Sequence, residues 1–150
     1  MTTKFNLGLL LTIVITFTVA CKKESSNPPQ TVTSKMELLT ANVWIYDSAY
    51  SNWGQPNQKV IYVRNSQSNQ VDVSQNRIKF YRDGTFNEIL AATGTLREGP
   101  DFWSMNSDST VLNTNGGGYS NSSKIISLTS TKFVWIDLSN NTRGVNIPKY

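Results

Sequence analysis

Short runs of alternating apolar and polar residues follow one another through most of the chain, and turn-forming residues separate them. Alternation with a period of two is typical of strands that bury one face, and many such strands indicate an all-β sandwich or barrel. Because the connections are short, we expect antiparallel neighbours in a meander. The pattern predicts nine or ten strands, at 43–50, 59–64, 77–82, 85–90, 93–98, 102–106, 109–114, 124–129, 132–137 and 143–147.

A single short helix is predicted ahead of the strands, over residues 34–41. Ser34 is followed three residues later by Glu37, which is the spacing of a capping box at a helix start. Met36 and Leu39, with Leu38 beside them, would form the apolar face of this helix. Helical periodicity ends there, so no helix is expected to cross between parallel strands.

The segment RIKFYRDGTFNEI predicts a hairpin, for which two registers compete. A two-residue Asp-Gly loop would pair Phe80 with Asn87. A three-residue loop, with Gly84 in the left-handed region, would pair Phe80 with Phe86. We favour the three-residue loop because it separates apolar from polar residues more cleanly, and a one-residue slip reverses every face.

The glycines of NTNGGGYSNSSK end near Lys124 and raise the question of a phosphate-binding loop. They lack the spacing into Gly-Lys-Ser/Thr at a helix start that such a loop requires. We therefore expect a flexible surface loop at this point.

The chain opens with an apolar run, Leu7 to Ala20, directly before its one cysteine, Cys21. This length suits the hydrophobic region of a secretory signal, and it is short of the roughly 20 residues that span a bilayer. The letters TVAC resemble a bacterial lipobox, in which the cysteine becomes the lipidated first residue. The alternatives are a signal peptide cleaved nearby, or an uncleaved anchor with a buried cysteine.

Three segments are therefore expected: a lipoprotein signal peptide at 1–20, a flexible tether at 21–33 and a folded domain at 34–150. The tether KKESSNPPQTVT is polar and contains two prolines, so it cannot bury enough surface to fold. We expect the protein to contact the bacterial outer membrane through lipidated Cys21, on its periplasmic or its outer face. Two or more acyl chains anchor a protein stably, whereas one does not.

The composition excludes several kinds of site. The chain has no histidine and one cysteine, so a Ser-His-Asp triad, a Cys-His dyad and a typical zinc centre are excluded. The ten acidic residues are dispersed, so we predict no catalytic residue, no metal and no other cofactor, and hence no enzyme. The formal charge of +4 falls to +3 without Lys4, and the basic residues form no stripe, which argues against nucleic-acid binding.

Several segments in order carry a family resemblance: ELLT, an early strand tryptophan, IKFYRDGTF, GTLREGPDFWSMNSDSTVL and KIISLTSTKFVWI. They resemble the lipocalin-like domains of small lipoproteins from Bacteroidota-type bacteria, over roughly residues 35–140. The Gly-x-Trp of lipocalins is replaced here by Asn42-Val43-Trp44. The resemblance implies an antiparallel up-and-down barrel of about eight to ten strands over 34–150, in the cell envelope, without defining a ligand.

Two sets of aromatic residues are candidate contact sites. An eight-stranded barrel is filled by side chains or holds one small ligand. Trp53 lies instead in a loop rich in Asn and Gln, where it could close one barrel end or stack on a sugar. The candidate lining or core residues are Trp44, Phe80, Phe86, Trp103, Phe133 and Trp135.

Two functions follow from these alternatives. The first is a lipid-anchored, non-enzymatic protein that binds a small apolar ligand in its barrel or serves as an accessory binding module. The second is a surface module that binds a glycan or a protein through loop aromatics. They differ in whether the interior is hollow and apolar, or packed solid with an aromatic patch outside.

Overall fold

The computed structural model describes residues 33–89 and 101–150. Over these ranges the chain forms a short helix and nine antiparallel strands, which confirms the all-β prediction. The strand predicted at 93–98 lies outside the described residues. The elements are α1 (Lys35–Ala41), β1 (Val43–Ser51), β2 (Lys59–Val63), β3 (Arg77–Phe80), β4 (Thr85–Ile89), β5 (Asp101–Met105), β6 (Val111–Gly116), β7 (Tyr119–Leu128), β8 (Phe133–Asp137) and β9 (Arg143–Pro148).

Strand β1 closes the sheet into a barrel. Along one edge it pairs with β9, from Trp44 opposite Pro148 to Tyr50 opposite Arg143. Along its other edge the start of β1 pairs with β3, and its end pairs with β2. Strands β3 to β8 each pair with the next strand in sequence. The result is an up-and-down barrel of eight strands, with β2 as an additional strand, and this is a lipocalin-like fold.

Helix α1 begins with the predicted capping box. The backbone N–H of Glu37 donates to Ser34 Oγ at 3.1 Å, and the backbone N–H of Ser34 donates to Glu37 Oε2 at 2.9 Å. These bonds satisfy two of the donors that a helix start leaves unpaired. Helix α1 ends at Ala41 because Asn42 takes an extended conformation, and the chain passes directly into β1.

The hairpin between β3 and β4 has the predicted three-residue loop. Phe80 pairs with Phe86, and Lys79 pairs with Asn87. Gly84 has a φ of +86°, which favours glycine because a β-carbon there is strained. The two phenyl rings stack with their centroids 5.6 Å apart on the inner face of the barrel.

The prediction of a flexible loop around the glycines is wrong. Strand β6 continues to Gly116, a two-residue turn at Gly117 and Gly118 reverses the chain, and β7 begins at Tyr119. Both turn glycines have positive φ, as tight hairpin turns require. The segment YSNSS, expected in the loop, is therefore the first half of a ten-residue strand.

Helix α1 covers one end of the barrel, which we call the closed end. Lys79 Nζ donates to the carbonyl oxygen of Thr40 at 2.6 Å, and Lys35 Nζ donates to that of Ser109 at 2.7 Å. These bonds fix the helix against β3 and the β5–β6 turn. The buried apolar core contains Leu39, Trp44, Phe80, Phe86, Trp103, Leu112, Ile125 and Phe133.

Candidate functional site

The barrel encloses a cavity of about 130 Å³ that is partly open to solvent. Alternate residues of the strands point inward, so that the cavity is lined from six strands. Four of the six predicted aromatics line it, and they are Phe80, Phe86, Phe133 and Trp135. The other lining residues are Tyr46, Ile78, Glu88, Leu112, Thr114, Tyr119, Asn121 and Ser123.

The two remaining predicted aromatics pack in the core without lining the cavity. Trp44 is fully buried, and its indole N–H donates to the carbonyl oxygen of Leu39 at 2.8 Å. This bond satisfies a carbonyl that the last turn of α1 leaves unpaired. Trp103 is 6% exposed, and its indole donates to the carbonyl of Tyr81 at 2.9 Å. Both tryptophans therefore stabilise the protein by packing and by hydrogen bonds that end in backbone carbonyls.

The indole of Trp135 is held flat against the barrel wall. A β-carbon at Gly144 would lie 2.3 Å from two carbon atoms of this ring, so the indole occupies the space that a side chain would take. Its N–H donates to Asn146 Oδ1 at 2.7 Å. Tyr46 packs edge-on against it, with ring centroids 6.5 Å apart. Gly144 and Asn146 together keep the ring at the edge of the cavity instead of across it.

Polar side chains on β6 and β7 form what we call the polar wall of the cavity. It consists of Thr114, Tyr119, Asn121 and Ser123. Thr114 pairs with Asn121 and Leu112 with Ser123 across the two strands, so these side chains share the inner face. Sequence reasoning missed this wall because it interpreted Tyr119, Asn121 and Ser123 as part of a loop. The signal that could have found it is the i, i+2, i+4 spacing of Tyr119, Asn121 and Ser123.

The hydroxyl of Tyr46 is a neutral group at the cavity. Burial raises the pKa of Tyr46, and the charge of Glu88 and the nearby Tyr119 raise that pKa further. Both effects disfavour the phenolate. Tyr46 therefore presents an un-ionised hydroxyl over the whole physiological pH range, able to donate or accept a hydrogen bond.

Trp53 lies apart from this cavity and joins two connections of the barrel. Its backbone N–H donates to the carbonyl of Asn141 at 3.0 Å, and Asn141 Nδ2 donates to the carbonyl of Trp53 at 2.8 Å. The guanidinium carbon of Arg143 lies 4.3 Å from the centroid of its ring, which is a close cation–π contact. Tyr50 packs on the same indole at 5.3 Å. Trp53 thereby connects the β1–β2 connection to the β8–β9 connection.

The predicted lipid-attachment residue, Cys21, and the tether lie outside the described residues. No three His, Cys, Asp or Glu side chains are grouped as metal ligands within 33–89 and 101–150. None of the described residues belongs to a helix that is long and apolar enough to span a membrane.

Neither protein-family models nor curated protein sequences give a match to this chain. The lipocalin-like character of the protein thus rests on its architecture, an eight-stranded closed barrel that follows a short helix.

Proposed function

We propose that this chain is a lipid-anchored cell-envelope protein whose barrel binds one small apolar ligand. The observation that carries the proposal is the cavity of about 130 Å³, whose lining includes three phenyl rings, one indole and two tyrosines. Well-packed interiors contain few voids larger than one water molecule. A space of this size, bordered by phenyl and indole rings, is therefore suited to an apolar guest.

The size of the cavity limits the ligand to a single ring or a short aliphatic chain. An apolar cavity of about 150 Å³ accommodates benzene, whereas pockets for drug-sized ligands begin at about 300 Å³. The proposed role is non-enzymatic, because the sequence lacks histidine and its acidic residues are dispersed.

Binding of toluene tests the cavity. The full-length chain in lipid nanodiscs would be titrated with toluene, and the indole N–H resonance of Trp135 would be followed by NMR. We expect saturable shifts of this resonance, assigned through Trp135→Phe, and no saturable shift at the indole of Trp53. A linear response of all tryptophans, which reports only partition into lipid, would contradict the proposal.

The anchor is the second part of the proposal, and it rests on the sequence around Cys21 and on the resemblance to lipocalin-like lipoproteins of Bacteroidota-type bacteria. Cys21→Ala should move the protein from the detergent-rich to the aqueous phase and stop processing by the lipoprotein signal peptidase. The matched control is Ser25→Ala in the tether, which should leave both properties unchanged. A Cys21→Ala protein that stays in the membrane would favour an uncleaved apolar span.

The alternative is a surface module that binds a glycan or a protein through Trp53. The contacts of Trp53 weigh against it, because Arg143 covers one face of the indole and Tyr50 packs beside it. Sugar stacking needs an open ring face. Trp53→Ala would test the alternative, since loss of binding to envelope glycans with an intact toluene site would support it over the cavity.

A further inference from the structure

Asn121 stands out among the lining residues. It lies in the first half of β7, opposite Thr114, with its side chain toward the interior. Its Oδ1 is buried from solvent and has no hydrogen-bond partner.

A buried amide oxygen without a partner lowers the stability of the fold. An Asn side chain offers two donors and one acceptor oxygen, and buried amides in native proteins are nearly always paired. An unpaired buried polar group loses its hydrogen bonds to water without replacement. The polar partner of Asn121 is therefore best supplied by a molecule that enters the cavity.

The surroundings of Asn121 restrict that partner. Thr114 and Ser123 flank it on the polar wall, and Tyr46 contributes an un-ionised hydroxyl to the same cavity. The remaining lining residues are mostly apolar or aromatic, and they are Ile78, Phe80, Phe86, Glu88, Leu112, Tyr119, Phe133 and Trp135. The lining therefore combines an apolar part, neutral polar groups around Asn121 and the carboxylate of Glu88, which fits a molecule with an apolar body and one polar group.

We propose that the side-chain amide of Asn121 binds a hydroxyl or carboxamide group of the ligand, whose remainder is one ring or a short aliphatic chain. This inference rests on the proposed function, since it names the ligand class of the same cavity. A hydroxyl can donate to Oδ1 or, with the amide turned by 180°, accept from Nδ2. Purely apolar molecules of equal size leave the amide oxygen unpaired.

The experiment compares phenol with toluene, which have nearly the same shape and differ in a hydroxyl against a methyl group. Both would be titrated into the full-length chain in nanodiscs, with the Trp135 indole resonance as the readout. The quantity measured is the ratio of the toluene Kd to the phenol Kd. We expect Asn121→Leu to lower this ratio about tenfold, with toluene binding retained.

The matched control is Asn115→Leu, the same chemical change on the outer face of β6, where the side chain is exposed. It should leave the ratio of the two Kd values unchanged. Partition of toluene and phenol into the lipid affects all variants equally, so it cancels when the ratios are compared. An unchanged ratio in Asn121→Leu, with toluene still bound, would overturn this inference and leave the proposed function intact. Failure of the wild-type chain to bind either molecule would overturn both.

Discussion

The closed end and the polar wall belong to one barrel, yet they differ in whether their buried polar groups are hydrogen-bonded. At the closed end, the indole N–H groups of Trp44 and Trp103 both bond to backbone carbonyls, and the two side chains are almost fully buried. On the polar wall, the buried Oδ1 of Asn121 is left without a hydrogen-bond partner. A buried polar group that is fully paired stabilises a fold, and one that is not paired is better explained by a ligand.

A substitution at the closed end should cause the largest loss of stability. Trp44→Ala removes a fully buried indole and the bond to Leu39 that holds the end of α1. We expect the free energy of unfolding to fall by about 3–5 kcal/mol, the cost of deleting a large core side chain. Urea denaturation measures it. Phe102→Ala, at an outer position that is 52% exposed, is the control and should change stability by less than about 0.5 kcal/mol.

A smaller effect is expected at Gly144, on the barrel wall beside the cavity. Gly144→Ala places a methyl group against the Trp135 indole and forces the ring away from Asn146. We expect a stability loss of about 1–3 kcal/mol from overpacking, together with weaker toluene binding as the ring enters the cavity.

The double variant Gly144→Ala with Trp135→Leu tests the cause of this loss. Removal of the indole should abolish most of the penalty of the added methyl group, which a double-mutant cycle reports as a coupling energy. Additive losses from the two substitutions would show that the clash is not the reason.

The polar wall should contribute little to stability. Asn121→Leu removes an amide whose buried oxygen is unpaired and adds an apolar side chain next to aromatic rings. We expect the unliganded protein to be unchanged or up to about 1 kcal/mol more stable, because the desolvation cost of the amide disappears. A loss of stability as large as that expected for Trp44→Ala would show that the polar wall stabilises the fold as much as the closed end does.

The smallest effect concerns the cap of α1 and depends on pH. The backbone and side-chain hydrogen bonds from Ser34 hold the pKa of Glu37 below its ordinary value of 4.5, and Arg82 contributes less. A carboxyl with a lowered pKa in the folded state stabilises the fold above its unfolded pKa, and this stabilisation is lost as the pH falls through the folded pKa.

Glu37→Gln should therefore flatten the fall in stability between neutral and acidic pH, while Glu24→Gln in the expected tether should not. Urea midpoints measured at a series of pH values provide the comparison. Identical pH profiles of stability for wild type and Glu37→Gln would show that the cap does not contribute to the acid sensitivity of the protein.

The β3–β4 hairpin shows how much of the fold could be predicted from the sequence. Its faces are strongly unequal, since Phe80 and Phe86 are apolar while Lys79 and Asn87 are polar, and one register alone separates them. The short helix was equally clear, because a capping box depends on two residues at a fixed spacing. In both places local chemistry and tertiary packing agree.

The polar wall was missed for a physical reason. The first half of β7 has polar residues on both faces, because the inner face borders a cavity and the outer face borders water. Apolar alternation therefore disappears although the strand remains. Similarly, the sequence could not separate Trp44 and Trp103 from the aromatics of the lining, because all six point inward and only their depth along the barrel distinguishes them.

The pairing of β1 with β9 has a consequence for how the chain folds. Trp44 and Pro148 are opposite each other in the sheet although about a hundred residues separate them along the chain. Such distant partners raise the contact order, which slows folding. One edge of β1 stays unpaired until β9 folds against it, and a chain truncated before Arg143 would leave that edge exposed. An exposed strand edge of this kind can pair with the edge of another molecule. Strand β9 therefore also protects the protein against aggregation.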